Sequence, residues 1–199
     1  MSERADAARN RRAILRAAEE LLAAHDARDG ARDGAHDGAR GAHISLDQVA
    51  AHAQVGKGTV FRRFGSRTGL MQALLQERAA QLREALESGP PPLGPGAPPA
   101  ERIVAFLDAL CRLAADNLAL LAAHERSCAP DRHADPTYVR WHTHLQTLIT
   151  QARPDLDAGF VAHTLLGMFD ADMVRRLTPR ADPGRFARSM RQLVGELLA

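Results

Sequence analysis

The sequence predicts an all-α protein. Phe, Tyr and Trp make up only 4% of the 199 residues, and the strand-like alternation of apolar and polar residues is nearly missing from the chain. Apolar residues instead recur three and four positions apart, a spacing that places them on one face of a helix. These observations favour packed helices.

Length and composition bound the class of protein. A chain of 199 residues can bury a substantial core, and no apolar run approaches the length that spans a bilayer. The charged first residues lack the apolar stretch of a secretory signal. The sequence therefore predicts a cytoplasmic protein with no membrane partner, in which Cys111 and Cys128 are free thiols.

The first helix and the segment after it differ sharply in composition. A helix is expected over about Ala7–Ala24, with Asp6 as its cap. Residues 27–42 then repeat a four-residue unit, ARDG ARDG AHDG ARGA, with frequent glycine and no large apolar side chain. This low-complexity insertion predicts an exposed loop.

Two short helices and a longer one are expected next. Ser45 and Gln48 have the spacing of a capping box for a helix that ends near Ala53. A second short helix is predicted over Lys57–Phe64, and Ser66 is expected to cap a longer helix to about Glu87. Residues 1–75 are thus predicted to form an N-terminal three-helix domain, joined through this fourth helix to the rest of the chain.

The C-terminal part, residues 76–199, predicts a helical bundle. It contains a Pro/Gly-rich linker at residues 88–99, which cannot be helical. The first segment after the linker is expected to split near Asp116. The predicted helical segments are Ala100–Glu125, Pro136–Ala152, Leu156–Leu177 and Pro183–Leu198.

Two short helices joined by a three-residue turn, the second of them basic, are typical of a DNA-reading helix-turn-helix. Val60 and Phe64 are expected to point into a small apolar seam with the preceding helix. Gly58 allows close approach to a DNA backbone, and a groove-reading face is predicted on the other side of the helix. That face carries Lys57, Thr59, Arg62 and Arg63. The alternative is a solvated charged helix in an ordinary bundle.

Four segments, in this order and spacing, resemble the N-terminal domain of TetR/AcrR-type transcriptional regulators. They are Ile14-Leu15-x-x-Ala18, Ser45-Leu-Asp-Gln-Val-Ala50, Val55-Gly-Lys-Gly-Thr-Val-Phe-Arg-Arg-Phe64 and Ser66-Arg67-x-x-Leu70. The resemblance covers about residues 9–75. It implies a homodimer that binds a pseudo-palindromic double-stranded DNA operator, with repression relieved by a small-molecule effector of unknown identity.

Under this resemblance, Phe61 takes the position of an aromatic phosphate contact and Arg67 that of a basic residue opening the fourth helix. The family usually has Tyr where Phe61 stands, Gly where Gln54 stands and Ser where Gly56 stands. Phe61 cannot donate a hydroxyl hydrogen bond, and a left-handed backbone costs more at Gln54. The predicted DNA-binding residues are Arg11, Arg12, Ser45, Lys57, Gly58, Thr59, Phe61, Arg62, Arg63 and Arg67.

The resemblance also implies an effector pocket and a dimer interface in the C-terminal bundle, with the last two helices pairing across the dimer axis. Core packing within the chain is the alternative for each residue. The pocket candidates are Phe106, Leu110, Leu113, Asn117, Leu121, Trp141, Leu145, His163 and Met168. The interface candidates are Phe160, Leu165, Phe169, Phe186, Met190, Leu193, Val194 and Leu197.

Two other classes of function stay open at this point. His124 and Cys128, one helical turn apart, allow a metal- or redox-responsive regulator, but no third ligand is fixed by spacing. A helical enzyme or adaptor is the alternative from a different class, although no catalytic motif is recognisable. The sequence therefore predicts no enzyme activity, no cofactor and no resident metal.

Overall fold

A computed structural model describes residues 2–30, 44–118, 121–122, 125, 132–178 and 182–199. These residues form helices and turns and contain no strand, so the predicted all-α class is confirmed. The chain divides into two compact units, Met1–Gln76 and Glu77–Ala199. None of the described helices is both long and apolar enough to cross a membrane.

Helix α1 (Ser2–Gly30) begins earlier and ends later than the sequence predicted. Asp6 therefore lies inside the first turns and pairs with Arg9 instead of capping the helix. The first repeat of the insertion, residues 27–30, is helical and not loop, because Ala and Arg are good helix formers that extend the helix to the next glycine. Residues 31–42 of the predicted loop lie outside the described residues.

The other helices of the first unit follow the predicted bounds closely. They are α2 (Leu46–His52), α3 (Lys57–Phe64) and the start of α4 (Arg67–Ser88), which continues into the second unit. The Ser66 hydroxyl accepts a hydrogen bond from the Gly69 amide at 3.1 Å, as expected of a cap. Apolar side chains from all four helices form the buried core of this unit: Ile14, Leu15, Ala18, Val49, Val60, Leu70 and Leu74.

The second unit begins within α4. Residues 89–98 form turns and bends, and α5 (Pro99–Asp116) ends at the residue where a split was predicted. A 3₁₀ turn (Arg132–Ala134) precedes α6 (Pro136–Ala152). Asp135 caps α6, since its carboxylate accepts from the Thr137 amide at 2.8 Å.

The prediction of one helix over Leu156–Leu177 is wrong. The segment forms α7 (Ala158–Gly167) and α8 (Ala171–Leu177). The Asp170 carboxylate accepts from the Asp172 amide at 2.9 Å and from the Met173 amide at 3.2 Å. An aspartate that can cap a new helix competes with continuing the old one, so the chain restarts there. The last helix is α9 (Arg185–Leu198).

Helix α5 is central to the second unit. It packs against α6, α8 and α9, while α7 packs on α6. The fully buried side chains on the facing surfaces of α5 and α6 include Ile103, Phe106, Leu107, Leu145 and Ile149. Burial of these large apolar groups is the main term that stabilises the unit.

Candidate nucleic-acid interface

A buried apolar seam holds α2 and α3 together. Val60 of α3 is 0% exposed and packs in the same core as Val49 and Ala50 of α2, which are also buried. Phe64, one turn after Val60, is half-buried. The predicted seam is therefore confirmed, and it fixes which side of α3 faces away from the protein.

The start of α2 is fixed by the predicted capping box. The Ser45 hydroxyl oxygen accepts from the Gln48 amide at 3.1 Å, and the Ser45 amide donates to the Gln48 side-chain oxygen at 2.8 Å. Two amides that a helix leaves unpaired at its first turn are satisfied in this way. The Ser45 hydroxyl proton is not used by this arrangement.

The turn between α2 and α3 is a Schellman motif. The Gln54 amide donates to the Ala51 carbonyl at 3.2 Å, and the Val55 amide donates to the Ala50 carbonyl at 3.0 Å. Gln54 lies after the last helical residues with φ of 54°, in the left-handed region that favours glycine. The extra cost expected from Gln at this position is thus present in the backbone.

The centre of the outward face of α3 consists of Gly58 and Arg62. At about 100° per residue, these two positions lie opposite Val60, with Thr59 beside them. Gly58 and Arg62 are exposed and Thr59 is half-buried. Arg62 forms no hydrogen bond or ion pair within the described parts of the chain, so its guanidinium is available to a partner. A Cβ at Gly58 meets nothing within 4 Å, so packing within the protein does not require glycine there.

The predicted reading face grouped Lys57 and Arg63 with Arg62, but the structure places them on the two flanks of α3. Lys57 Nζ lies 2.7 Å from the Asp47 carboxylate on α2. On the opposite flank, Arg63 Nη2 donates to the Ala7 carbonyl of α1 at 2.6 Å. Both side chains are exposed. The positive charge at the centre of the face comes from Arg62.

Phe61 borders the same surface, and Arg67 follows α3 three residues later in the sequence. The Phe61 ring is 50% exposed, which is unusual for a large apolar side chain and is consistent with a surface that a partner covers. Arg67 is exposed and is the first residue of α4. On α1, Arg12 is exposed, whereas Arg11 is half-buried and lines a groove of about 440 Å³ with Arg63.

In the second unit, the predicted pocket residues do not share one environment. Phe106, Leu110, Asn117 and Leu145 are buried, and Leu113, Leu121, Trp141 and Met168 are half-buried. His163 is exposed, so its assignment to an internal pocket is wrong. Its ring lies at the solvent-exposed edge of the contact between α7 and α6, where it faces Tyr138 and His142 of α6. The second unit also has an open groove of about 680 Å³. Its lining consists of selected residues between 92 and 112 and between 195 and 199, and none of the nine pocket candidates is among them.

Sequence reasoning did not include Arg102 and His144 among the site residues. The Phe106 ring meets Trp141 and His144 edge-on, with ring centroids 6.4 Å and 5.1 Å away. Buried nitrogen atoms of Arg102, Trp141 and His144 have no hydrogen-bond partner in the part of the chain that the structure describes. The available signal was spacing, since Arg102 precedes Phe106 by one helical turn and His144 follows Trp141 by about one turn.

Most of the predicted interface residues are core residues of this chain. Leu165, Phe169, Phe186, Met190 and Val194 are 1–8% exposed and belong to one apolar cluster, so their assignment to an interface surface is wrong. Amphipathic helices bury their apolar stripe against the nearest neighbour, and here that neighbour lies in the same chain.

Three other interface candidates keep access to solvent. Phe160 of α7 is 69% exposed and Leu193 of α9 is 44% exposed. Leu197 is half-buried. Large apolar side chains exposed to this degree are the ones with most to gain from a partner.

Histidine and cysteine side chains were the candidates for metal or redox chemistry. His124 and Cys128 lie outside the described residues. Tyr138 and His163 share a hydrogen bond of 2.6 Å, and the His142 and His163 ring centroids are 3.9 Å apart. Within the described ranges, no three His, Cys, Asp or Glu side chains are placed to hold a metal ion. Burial, followed by the nearby Asp108, raises the pKa of the Cys111 thiol to about 12, so this cysteine is an unreactive core thiol.

Comparison with known proteins gives a consistent result. Residues 38–74 match the family model of the bacterial regulatory proteins of the tetR family. That segment contains α2, the Schellman turn, α3 and the first turns of α4. No curated protein matches the sequence.

Solved structures with a similar fold match all or nearly all of the chain. A Rhodococcus sp. protein assigned to the TetR family of transcriptional regulators has 18% identity and a TM-score of 0.60, with 100% of both chains covered. A Clostridium perfringens protein described as a fatty acid metabolism regulator has 16% identity and a TM-score of 0.53, with 94% of this chain and 96% of that one covered. At these identities, the likeness shows that the fold is shared.

Proposed function

We propose that this chain, a TetR-family transcriptional regulator by its N-terminal domain, is a repressor that binds a pseudo-palindromic DNA operator as a homodimer. It acts in the cytoplasm, where a small-molecule effector releases it from the operator. The observation that carries the proposal is the outward face of α3, on which Arg62 is exposed and without a partner among the described residues. The buried Val60 fixes this face outward.

The centre of the face reads bases. An α-helix fits the major groove of B-DNA, and an arginine there donates two hydrogen bonds to the O6 and N7 atoms of guanine. Gly58 allows the helix to approach the DNA closely, and the Thr59 methyl group suits contact with a thymine methyl group. Arg62 is therefore the residue expected to carry most of the sequence preference.

The flanks of α3 and the neighbouring helix starts position the protein on the DNA backbone. Lys57 and Arg67 supply charge to phosphates, and Phe61 packs against the sugar-phosphate chain without donating a hydrogen bond. The Ser45 hydroxyl proton at the start of α2 can be donated to a phosphate oxygen, because the cap uses only the oxygen lone pairs. On α1, the exposed Arg12 adds a further phosphate contact, and Arg11 lies next to it in sequence.

Arg63 has a positioning role in this account. Its hydrogen bond to the Ala7 carbonyl links α3 to the arginine-rich N-terminal helix. Loss of that bond releases both α1 and one flank of α3, so Arg63→Ala weakens operator binding without unfolding the protein. Arg63→Lys keeps the charge but has a shorter reach and no planar fork, and it is expected to restore only part of the affinity.

Selection of genomic DNA fragments by the full-length protein, followed by fluorescence-polarisation titration, tests the proposal. Wild-type protein is expected to bind its selected fragment with an affinity that falls steeply as salt rises. Arg62→Ala is expected to lose about tenfold or more in affinity. The matched control is Arg140→Ala, which removes an exposed arginine of α6 in the second unit and is expected to retain binding. Equal affinity of Arg62→Ala and wild type for the fragment would overturn the assignment.

Self-association is proposed to use exposed apolar side chains of α7 and α9. Phe160→Glu and Leu193→Glu place a charge where a partner copy is expected to exclude water, so both variants should shift the protein toward monomer in sedimentation equilibrium. Val139→Glu alters an apolar residue of α6 that is 48% exposed, and it is expected to leave the mass unchanged. A dimer that survives both substitutions on α7 and α9 refutes this interface.

A further inference from the structure

The facing sides of α5 and α6 bring four side chains of mixed chemistry together inside the second unit. Phe106 of α5 is 0% exposed, and the rings of Trp141 and His144 of α6 meet it edge-on. Arg102 lies one turn before Phe106 on the same helix, and its charge acts on His144. An indole and an imidazole thus border a buried phenyl ring, and an arginine lies one helical turn away.

Three nitrogen atoms of this group are buried and have no partner among the described residues: Arg102 Nε, Trp141 Nε1 and His144 Nε2. The first two are donors only, because a guanidinium and an indole N–H have no acceptor function. Buried polar groups in folded proteins are nearly always paired, so unpaired donors that lie together indicate an acceptor supplied from elsewhere.

Charge narrows the chemistry of that acceptor. The Arg102 guanidinium forms no ion pair within the described ranges, and its Nη2 reaches only the neutral Leu86 carbonyl, at 3.5 Å. Arg102 is half-buried, and a guanidinium forms stronger hydrogen bonds with a carboxylate than with a neutral acceptor. Burial, with a further contribution from Arg102, lowers the pKa of His144, so this imidazole is neutral near pH 7. In the tautomer that carries its proton on Nε2, that nitrogen is a hydrogen-bond donor.

We infer that Arg102, Trp141 and His144 form the binding site for the carboxylate group of a small organic acid, whose apolar part lies against Phe106. The inference rests on the proposed function in one respect, since it takes this acid to be the effector that releases the operator. Trp141 and Phe106 were pocket candidates from the sequence, whereas Arg102 and His144 were not among those candidates.

Trp141 is the only tryptophan in the chain, so its fluorescence reports on this site without labelling. The full-length protein is titrated with benzoate, phenylacetate and octanoate, and in parallel with the three corresponding amides. At least one carboxylate is expected to change the fluorescence with saturation at millimolar concentration or below, while its amide, which has the same shape but no charge, binds about tenfold or more weakly.

Variants separate the anion site from a general effect of organic acids. Arg102→Gln is expected to lower carboxylate affinity by about tenfold or more. The control Arg112→Gln, which removes an exposed arginine of the same helix, should leave that affinity unchanged. His144→Phe keeps an aromatic ring at the site and is expected to weaken binding less than Arg102→Gln does. Thermal unfolding of each variant checks that it is folded.

Different results would overturn the anion site, its role as effector site and the proposed operator binding. No response to any of the three acids, equal binding of acid and amide, or full affinity in folded Arg102→Gln and His144→Phe would each mean that the donors hold only buried water. A carboxylate that binds at Arg102 but leaves operator affinity unchanged would overturn its role as effector. Operator binding by the ligand-free protein is measured separately, and its absence would overturn the proposed function while leaving the anion site in place.

Discussion

Replacing Gln54 by glycine is expected to stabilise the helix-turn-helix. Gln54 has φ of 54° at the position that follows the last residues of α2, and the turn is closed by the hydrogen bonds of the Gln54 and Val55 amides. A side chain in the left-handed region costs about 1–2 kcal/mol because its Cβ approaches the backbone, and glycine has no Cβ. The Gln54 side chain itself is exposed, so its removal loses little packing.

The net gain is smaller than the relief of strain. Glycine also makes the unfolded chain more flexible, which costs about 0.5–1 kcal/mol. The difference leaves a stabilisation of about 0.5–1 kcal/mol. For a chain of this length, that corresponds to a rise in melting temperature of about 1–4 °C, and to slowing of amide hydrogen exchange in α2 and α3 by about two- to fivefold.

Hydrogen exchange read by mass spectrometry on the peptide that covers residues 44–66 measures the effect locally, and circular dichroism gives the melting temperature. The control is the same substitution at Gln81, an exposed position inside α4, where glycine is expected to destabilise by about 1 kcal/mol. If Gln54→Gly destabilises the protein as Gln81→Gly does, the left-handed turn is not present in solution and the account of the α2–α3 turn is wrong.

Three further predictions concern α3 and the histidines. Phe61→Tyr supplies a hydroxyl donor at an exposed ring and is expected to raise operator affinity by about two- to tenfold in a polarisation titration; weaker binding would show that Phe61 does not face phosphate. Val60→Ala removes methyl groups from a site that is 0% exposed and should cost about 2 kcal/mol of stability, against less than about 0.5 kcal/mol for the exposed Val139→Ala; urea unfolding followed by circular dichroism compares the two. Partial desolvation, followed by His142 and His133, lowers the pKa of the largely exposed His163, and burial, followed by Arg102, lowers that of His144. The unfolded chain therefore binds more protons below the ordinary histidine pKa, and stability is expected to be unaffected above about pH 7 and to fall as pH drops through about 6.5. His163→Gln should reduce this fall in urea titrations across the pH range, and a stability that rises on acidification through that range would contradict the assignment.

The parts of the fold that could be located from the sequence are those that depend on residues close together in the chain. The Ser45 capping box marks the start of α2, and Gly65, which has φ of 69°, follows the last residue of α3. Such caps and breaks depend only on neighbours in sequence, so they can be located from the sequence within a few residues. The prediction of a single helix over Leu156–Leu177 was wrong because it rested on apolar spacing, which does not show that Asp170 starts a new helix. The repeat was predicted to be a loop because of its glycines, but its Ala and Arg residues favour helix and α1 continues to Gly30.

The candidate site divides in a similar way. The outward orientation of Arg62 follows from its spacing relative to Val60, so the sequence was sufficient for it. The bond from Arg63 to Ala7 joins residues 56 positions apart, and no local pattern indicates it. Phe186 and Met190 were assigned to a dimer interface because an apolar stripe looks the same whether it faces the chain's own core or a second copy. Only the packing of α9 on α5 decides between them.

The central claim is that α3 enters the major groove of an operator, once from each copy of a dimer. Methylation interference on the selected operator tests it most directly, because methylation of guanine N7 blocks the atom that Arg62 is expected to contact. The account predicts interference at guanines in two groups, related by a twofold axis and about one helical turn apart or a multiple of it, with the interference lost in Arg62→Ala. Binding that is not weakened by N7 methylation, or an interference pattern that is unchanged in Arg62→Ala, would contradict it.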